Sequence, residues 1–440
     1  MNAVSAAIRP YAEGFKSLEP VLTRSAPAWL TALRREAFAR FANHGFPGER
    51  EEDWKYTSTR PLEKRRFVPS LTAPGTIDAD AVEPAFLREI PAHTLVFING
   101  QHAPALDTAG SDIAGLRIAS LGKALQQAAD KLQAYFAPAS AWSDDPFTAL
   151  NTAFLRDGVV IEIDDGMRLE QPLQLIFLST KQAQPGACHP RILVRLGRHA
   201  HATLLETYHG LEAAANLTNG YAQIHLGENA QLEHLRVQRE SAQDFHVNRV
   251  RVTQQHGSRY VSHTLNLGGL WVRTDLSTRL EAPEAEAVFN GLYWTDQGRH
   301  VDNHTRIDHL APRTRSDELY RGIIGGHSHA VFNGKVVVAK HAMKTDAAQI
   351  NNNLLLSRQA EIDTKPELEI YADDVQCSHG ASIGQLDEQA LFYLRSRGLD
   401  PKTARGLLID AFAHAVLDRI ATPELQTFAR RQLAAVMGAS

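Results

Sequence analysis

The chain has 440 residues, 43% of them hydrophobic and 22% charged, with a formal net charge of −4 at pH 7. That is enough for one large core or two to three smaller ones and unlike a disordered composition, and without a Lys/Arg block it excludes a dedicated nucleic-acid surface, which needs concentrated positive charge. Two cysteines, Cys188 and Cys377, allow at most one disulfide, and free thiols in a reducing compartment are expected.

At the N-terminus Arg9, Glu13, Lys16 and Glu19 interrupt the apolar residues. No signal peptide, no membrane span and a cytoplasmic protein are therefore expected. Residues 27 to 43 place Trp29, Leu30, Leu33, Ala37, Phe38 and Phe41 on one face of a predicted helix. The charged segment from Glu49 to Ser70, broken by Pro61, reads as irregular. AHTLVFING (92 to 100) reads as a strand and turn, and residues 120 to 137 as a short amphipathic helix.

From about residue 157 to 376 the texture changes to short β-rich runs that repeat. GRHAHATLLE (197 to 206), GENAQLEHLR (227 to 236) and HGSRYVSHTL (256 to 265) each open with a turn and continue as an alternating strand. APEAEAVFNG (282 to 291), GHSHAVFNGK (326 to 335) and SRQAEIDTKP (357 to 366) read as later copies, and AVFNG occurs twice. A unit of a few strands cannot bury its own apolar face and must stack on its neighbours, which predicts a β-solenoid. The rival is a large antiparallel sandwich, whose turns recur at the shorter spacing of about 8 to 12 residues. In QINNNLLLS (349 to 357) the asparagines are expected at coil corners and the leucines inside.

Helices return after residue 386. Asp387 is a predicted cap for a helix ending at Gly398, and Asp400-Pro401 and Thr422-Pro423 open two more. The organisation expected is a helical and mixed region over 1–156, the solenoid over 157–386 and a helical domain over 387–440.

The chemistry is sparse. The chain has no phosphate loop of the G-x-x-x-x-G-K-[ST] type, no H-E-x-x-H and no C-x-x-C, so it does not read as an ATPase or a zinc hydrolase. Cys377 and His379 stand two apart; if a strand beginning near Leu368 runs through them, they share one face. They could ligate iron or zinc, or pair to activate the thiol. They could equally be ordinary packed side chains. Two ligands do not complete a cluster site, so the rest would come from another chain. Cys188-His189, the pair His327 and His329, His309, His341 and the adjacent Asp373 and Asp374 carry weaker signals.

EEDWKYT (51 to 57), TDLSTRLEAPEAEAVFNGLYW (274 to 294), KTDAAQINNNLLLS (344 to 357) and EIYADDVQCSHGASIGQLDEQALFYLRSRGL (369 to 399), with the helical tail, resemble the SufB and SufD family of iron–sulfur cluster assembly proteins, in its SufD branch. The resemblance implies a right-handed parallel β-helix flanked by N-terminal and C-terminal helical regions. It implies pairing with SufB through the β-helix ends, or a homodimer without SufB, and docking of the ATPase SufC on the C-terminal helices. It also implies iron and a transient iron–sulfur cluster shared with SufB, with His379, and less surely Cys377, as metal ligands on a non-catalytic scaffold. A SufB-type paralogue and a secreted carbohydrate-active β-helix are the alternatives. The lack of further scaffold cysteines beside Cys377 speaks against the first, and the lack of a signal peptide against the second.

Overall fold

A computed structural model describes residues 7–24, 26–69, 77, 82–108, 113–136 and 145–438. Residues 1–6 and the far ends of two predicted segments, Ser70 and residue 137, lie outside them.

Two long sheets run side by side. One is ordered from Glu361–Ile370 back through His329–Val338, His300–His309, Trp271–Leu280, Phe245–Gln254, Leu217–Leu226 and Arg191–Leu196 to Gly158–Ile163. The other runs from Val375–Gln385 through Thr345–Leu355, Arg315–Ile324, Glu286–Thr295, Arg259–Asn266 and Gln231–Arg239 to His201–Gly210 and Leu173–Ser179. These strands alternate between the sheets, and each pairs with its neighbours among them in parallel. This is the predicted parallel β-solenoid, of about eight turns, and the antiparallel sandwich is excluded. The two sheets start before residue 157, because His93–Ile98 adds a parallel strand to one and Leu116–Ser120 an antiparallel strand to the other.

The repeat visible in the sequence is the signature of one corner. His199, Asn229, Gly257, Glu284, Arg313 and Lys344 all have positive φ, once per coil. Each is followed by a small buried residue: Ala200, Ala230, Ser258, Ala285, Thr314 and Thr345. The left-handed residue turns the chain into the next sheet, and only a small side chain fits the stacked corner behind it. GHSHAVFNGK and SRQAEIDTKP lead instead into the other sheet, at the opposite corner, so they are not copies of this turn and the two AVFNG runs are not equivalent. Gly291 lies in the sheet containing Glu286–Thr295, where a Cβ would fall 2.0 Å from the Tyr320 ring. Gly334 lies in the other sheet and clears space for Gln349.

The asparagines of QINNNLLLS are not at corners. Asn351 and Asn353 face the interior from mid-strand, where Asn353 Nδ2 donates to Asn351 Oδ1 at 2.6 Å and Asn351 Nδ2 to Tyr293 Oη at 3.2 Å. The period of two in a strand decides this: Leu355 packs against the interior core, while Leu354 faces outward under the C-terminal helices.

Both outer faces are covered. The helices Pro401–Leu417 and Pro423–Met437 cover one with Leu425, Phe428 and Leu433, against Leu235, Val237 and Leu265. Asp400 caps the first by accepting from the Lys402 and Thr403 amides. Thr422 does not cap the second; its hydroxyl donates to Glu233 Oε2 at 2.6 Å and ties the helix to the solenoid. On the other face lie Ala28–His44, which matches the predicted helix, and Arg9–Thr23, which periodicity did not single out. The segment 49–69 is mostly irregular, and its EEDWKYT motif is a clasp. Trp54 lies under the Arg273 guanidinium at 3.8 Å, Arg273 Nη1 donates to the Asp53 carbonyl at 2.7 Å, and Thr57 Oγ1 donates to Asp302 Oδ2 at 2.6 Å.

Candidate functional site

The strand expected from Leu368 onward ends at Ile370; the chain then turns, and a new strand, Val375–Gln385, begins in the opposite sheet. Asp373 and Asp374 lie in that turn rather than on a strand. The new strand carries Cys377 and His379 together, so their shared face survives the correction. Cys377 pairs with Ala347 and His379 with Gln349, both residues of the solenoid interior. Paired residues in a parallel ladder project to the same side, so Cys377 and His379 face inward as well.

No further coil follows, so these interior positions are open. His379 is exposed and Cys377 half-buried, packed on the interior core. Burial, with the Asp346 carboxylate adding to it, holds the Cys377 thiol above its ordinary pKa and disfavours the thiolate. Ile383, interior-facing on the same strand, is 52% exposed. Ile370, Tyr371, Phe392 and Tyr393 add exposed apolar surface from the neighbouring strand end and the helix Glu388–Ser396. The edge itself, VQCSHGASIGQ, has no Lys, Arg, Asp, Glu or Pro to discourage pairing.

Among the described residues no group of three or more His, Cys, Asp and Glu could hold a metal ion. Cys377 and His379 therefore supply at most part of a ligand set, as the two-residue count implies.

The other sequence candidates are occupied. Burial drives the Cys188 thiol up to about 12, and His189 stacks on Phe154 at 5.2 Å and meets Asn219 at 3.2 Å. His327 sits in a turn and only His329 is on the strand, so they do not share a strand face; His329 Nε2 lies 2.8 Å from Asp363 Oδ2. His309 bonds Thr314 and Ser316 inside the solenoid, and His341 bonds the Leu310 carbonyl at 2.7 Å.

Composition did not reveal a polar column inside the solenoid. Glu206 and Tyr260 both bond to His234, each at 2.9 Å. Nearer the open end, Gln349 Nε2 donates to Glu318 Oε2. One row of the ladder links His234, Glu318 and Gln349 to His379: Leu204, His234, Ser262, Phe289, Glu318, Gln349, His379. Stepping back from His379 by one repeat would have found Gln349.

A family profile described as "SUF system FeS cluster assembly, SufBD core domain" matches residues 177–412, and one described as "SufBD protein N-terminal region" matches residues 6–175. An iron-sulfur cluster assembly SufBD family protein of Synechocystis sp. is 36% identical, over 86% of this chain and 85% of its own. The iron-sulfur cluster assembly protein SufD of Escherichia coli is 32% identical, over 84% of each chain. A chloroplastic protein of Arabidopsis thaliana is 31% identical, over 66% of this chain and 63% of its own.

Proposed function

The chain belongs to the SufBD family of iron–sulfur cluster assembly proteins and is a SufD homologue, and from that premise we propose that it is a non-catalytic scaffold whose open solenoid end meets a SufB-type partner. The nascent cluster is the cargo of that junction, and His379 supplies it with an iron ligand. A SufC-type ATPase docks on the C-terminal helices, where Phe392 and Leu407 are exposed, and the complex works in the cytoplasm. ATP-driven approach of two such ATPases would move the two helical tails and shear the solenoid ends apart, giving iron access to the junction.

The open end is the observation that carries this reading. An unpaired, uncharged strand edge with apolar neighbours stands beside two potential ligands that do not complete a site. A partner closing the edge would pair its backbone and add the missing ligands.

The test is coexpression with SufB-type and SufC-type chains, followed by size-exclusion chromatography and anaerobic absorption spectra. His379→Ala is expected to leave the complex intact and lower cluster absorbance at least tenfold, whereas Cys377→Ser changes it less than twofold. Unchanged cluster yield in His379→Ala overturns the ligand role. A homodimer that persists in the presence of the SufB-type chain overturns the pairing.

A further inference from the structure

The rung leading to His379 holds an unusual group. Glu318 and Gln349 are 2% and 1% exposed, and the bond from Gln349 Nε2 to Glu318 Oε2 fixes the orientation of the amide. The nitrogen points back at the carboxylate, so Oε1 is left over. This Oε1 is buried and has no hydrogen-bond partner. Leaving a buried acceptor unpaired is destabilising, and such a group calls for a reason. The space for the amide is specific too: a Cβ on Gly334 would fall 2.2 Å from Gln349 Nε2. On the next rung stands His379, its backbone about 4.8 Å away, with its imidazole exposed at the edge.

We propose that Gln349 is a positioning residue for His379: its orphaned Oε1 accepts one imidazole N–H, so that the other ring nitrogen presents its lone pair beyond the strand edge, while Glu318 holds the amide from behind. This rests on the reading of His379 as an iron ligand. A histidine ligand must offer an unprotonated nitrogen, and an acceptor at the second nitrogen sets both tautomer and ring plane. A neutral carboxamide suits this rung, since a carboxylate there would face Glu318 with a second negative charge.

The test uses the full chain labelled with 15N-histidine, the His379 ring signals being assigned by their absence in His379→Asn. In the wild type we expect a single tautomer, with one pyrrole-like and one pyridine-like nitrogen. In Gln349→Met the two signals move toward the exchange average, and cluster yield on the coexpressed complex falls at least fivefold with the complex intact. The exchange Glu318→Gln with Gln349→Glu keeps an acceptor beside the imidazole and is expected to restore both readouts. A wild-type ring averaged between tautomers overturns the proposal without any variant. So does a Gln349→Met chain with unchanged ring signals and yield, even where His379→Ala abolishes the cluster. Conversely, a tautomer lock lost in Gln349→Met supports the positioning, and if His379→Ala leaves yield unchanged it is the ligand reading that fails.

Discussion

Glu318 has a buried carboxyl whose Oε2 is bonded to Gln349 and which also faces the Thr305 hydroxyl. Burial pushes its pKa up to about 7. An acid whose folded pKa is raised stabilises the fold fully below its unfolded pKa of about 4.3 and loses that contribution as pH rises through about 7. Glu318→Gln removes the titration. Its stability relative to wild type should therefore climb between about pH 4 and 7 and level off above, by at most about 4 kcal/mol; a difference independent of pH would contradict the assignment. Residues of this kind were not legible in the sequence, because an inward-facing Glu or Gln in an alternating strand reads as a solvated one. Cys377 and His379 were legible, since a two-residue spacing puts them on one face whichever strand carries them.

The corner repeat shows why strands were easy to read and some helices were not. A left-handed residue followed by Ala, Ser or Thr recurs because every coil makes the same turn, and repetition amplifies a weak local signal. Arg9–Thr23 occurs once, so Tyr11, Phe15, Leu18 and Leu22 had no second copy to stand out against. The edge strands differ in a way that bears on association. Glu361–Ile370 carries Lys365, Glu367, Glu369 and Pro366, which discourage pairing, whereas Val375–Gln385 carries none of these residue types. Placing a charge on the bare edge should act on assembly and not on the fold. Ile383→Lys, at a half-exposed position, is expected to keep the melting temperature within about 2 °C, an effect under 0.5 kcal/mol, and to abolish elution with the SufB-type partner. Retained co-elution would show that the edge is not the contact.

The whole molecule is a solenoid whose flanks are sealed by its own helices. Leu425, Phe428 and Leu433 are fully buried on the face that Leu235, Val237 and Leu265 present, and three such side chains amount to roughly 5 kcal/mol or more of burial. Removing residues 423–440 is expected to leave that face bare, so that the truncated chain binds a hydrophobic dye and loses soluble yield; a soluble, non-binding truncation would contradict the covering role. The two ends of the stack are unlike each other. At the early end, antiparallel strands at Gln101–His102 and Leu116–Ser120 interrupt the parallel ladders, whereas the late end stops bare. A rod that can be extended at one terminus alone has a valency of one. Closure of the bare late edge by a partner would finish the stack as a pair rather than propagate it into a filament.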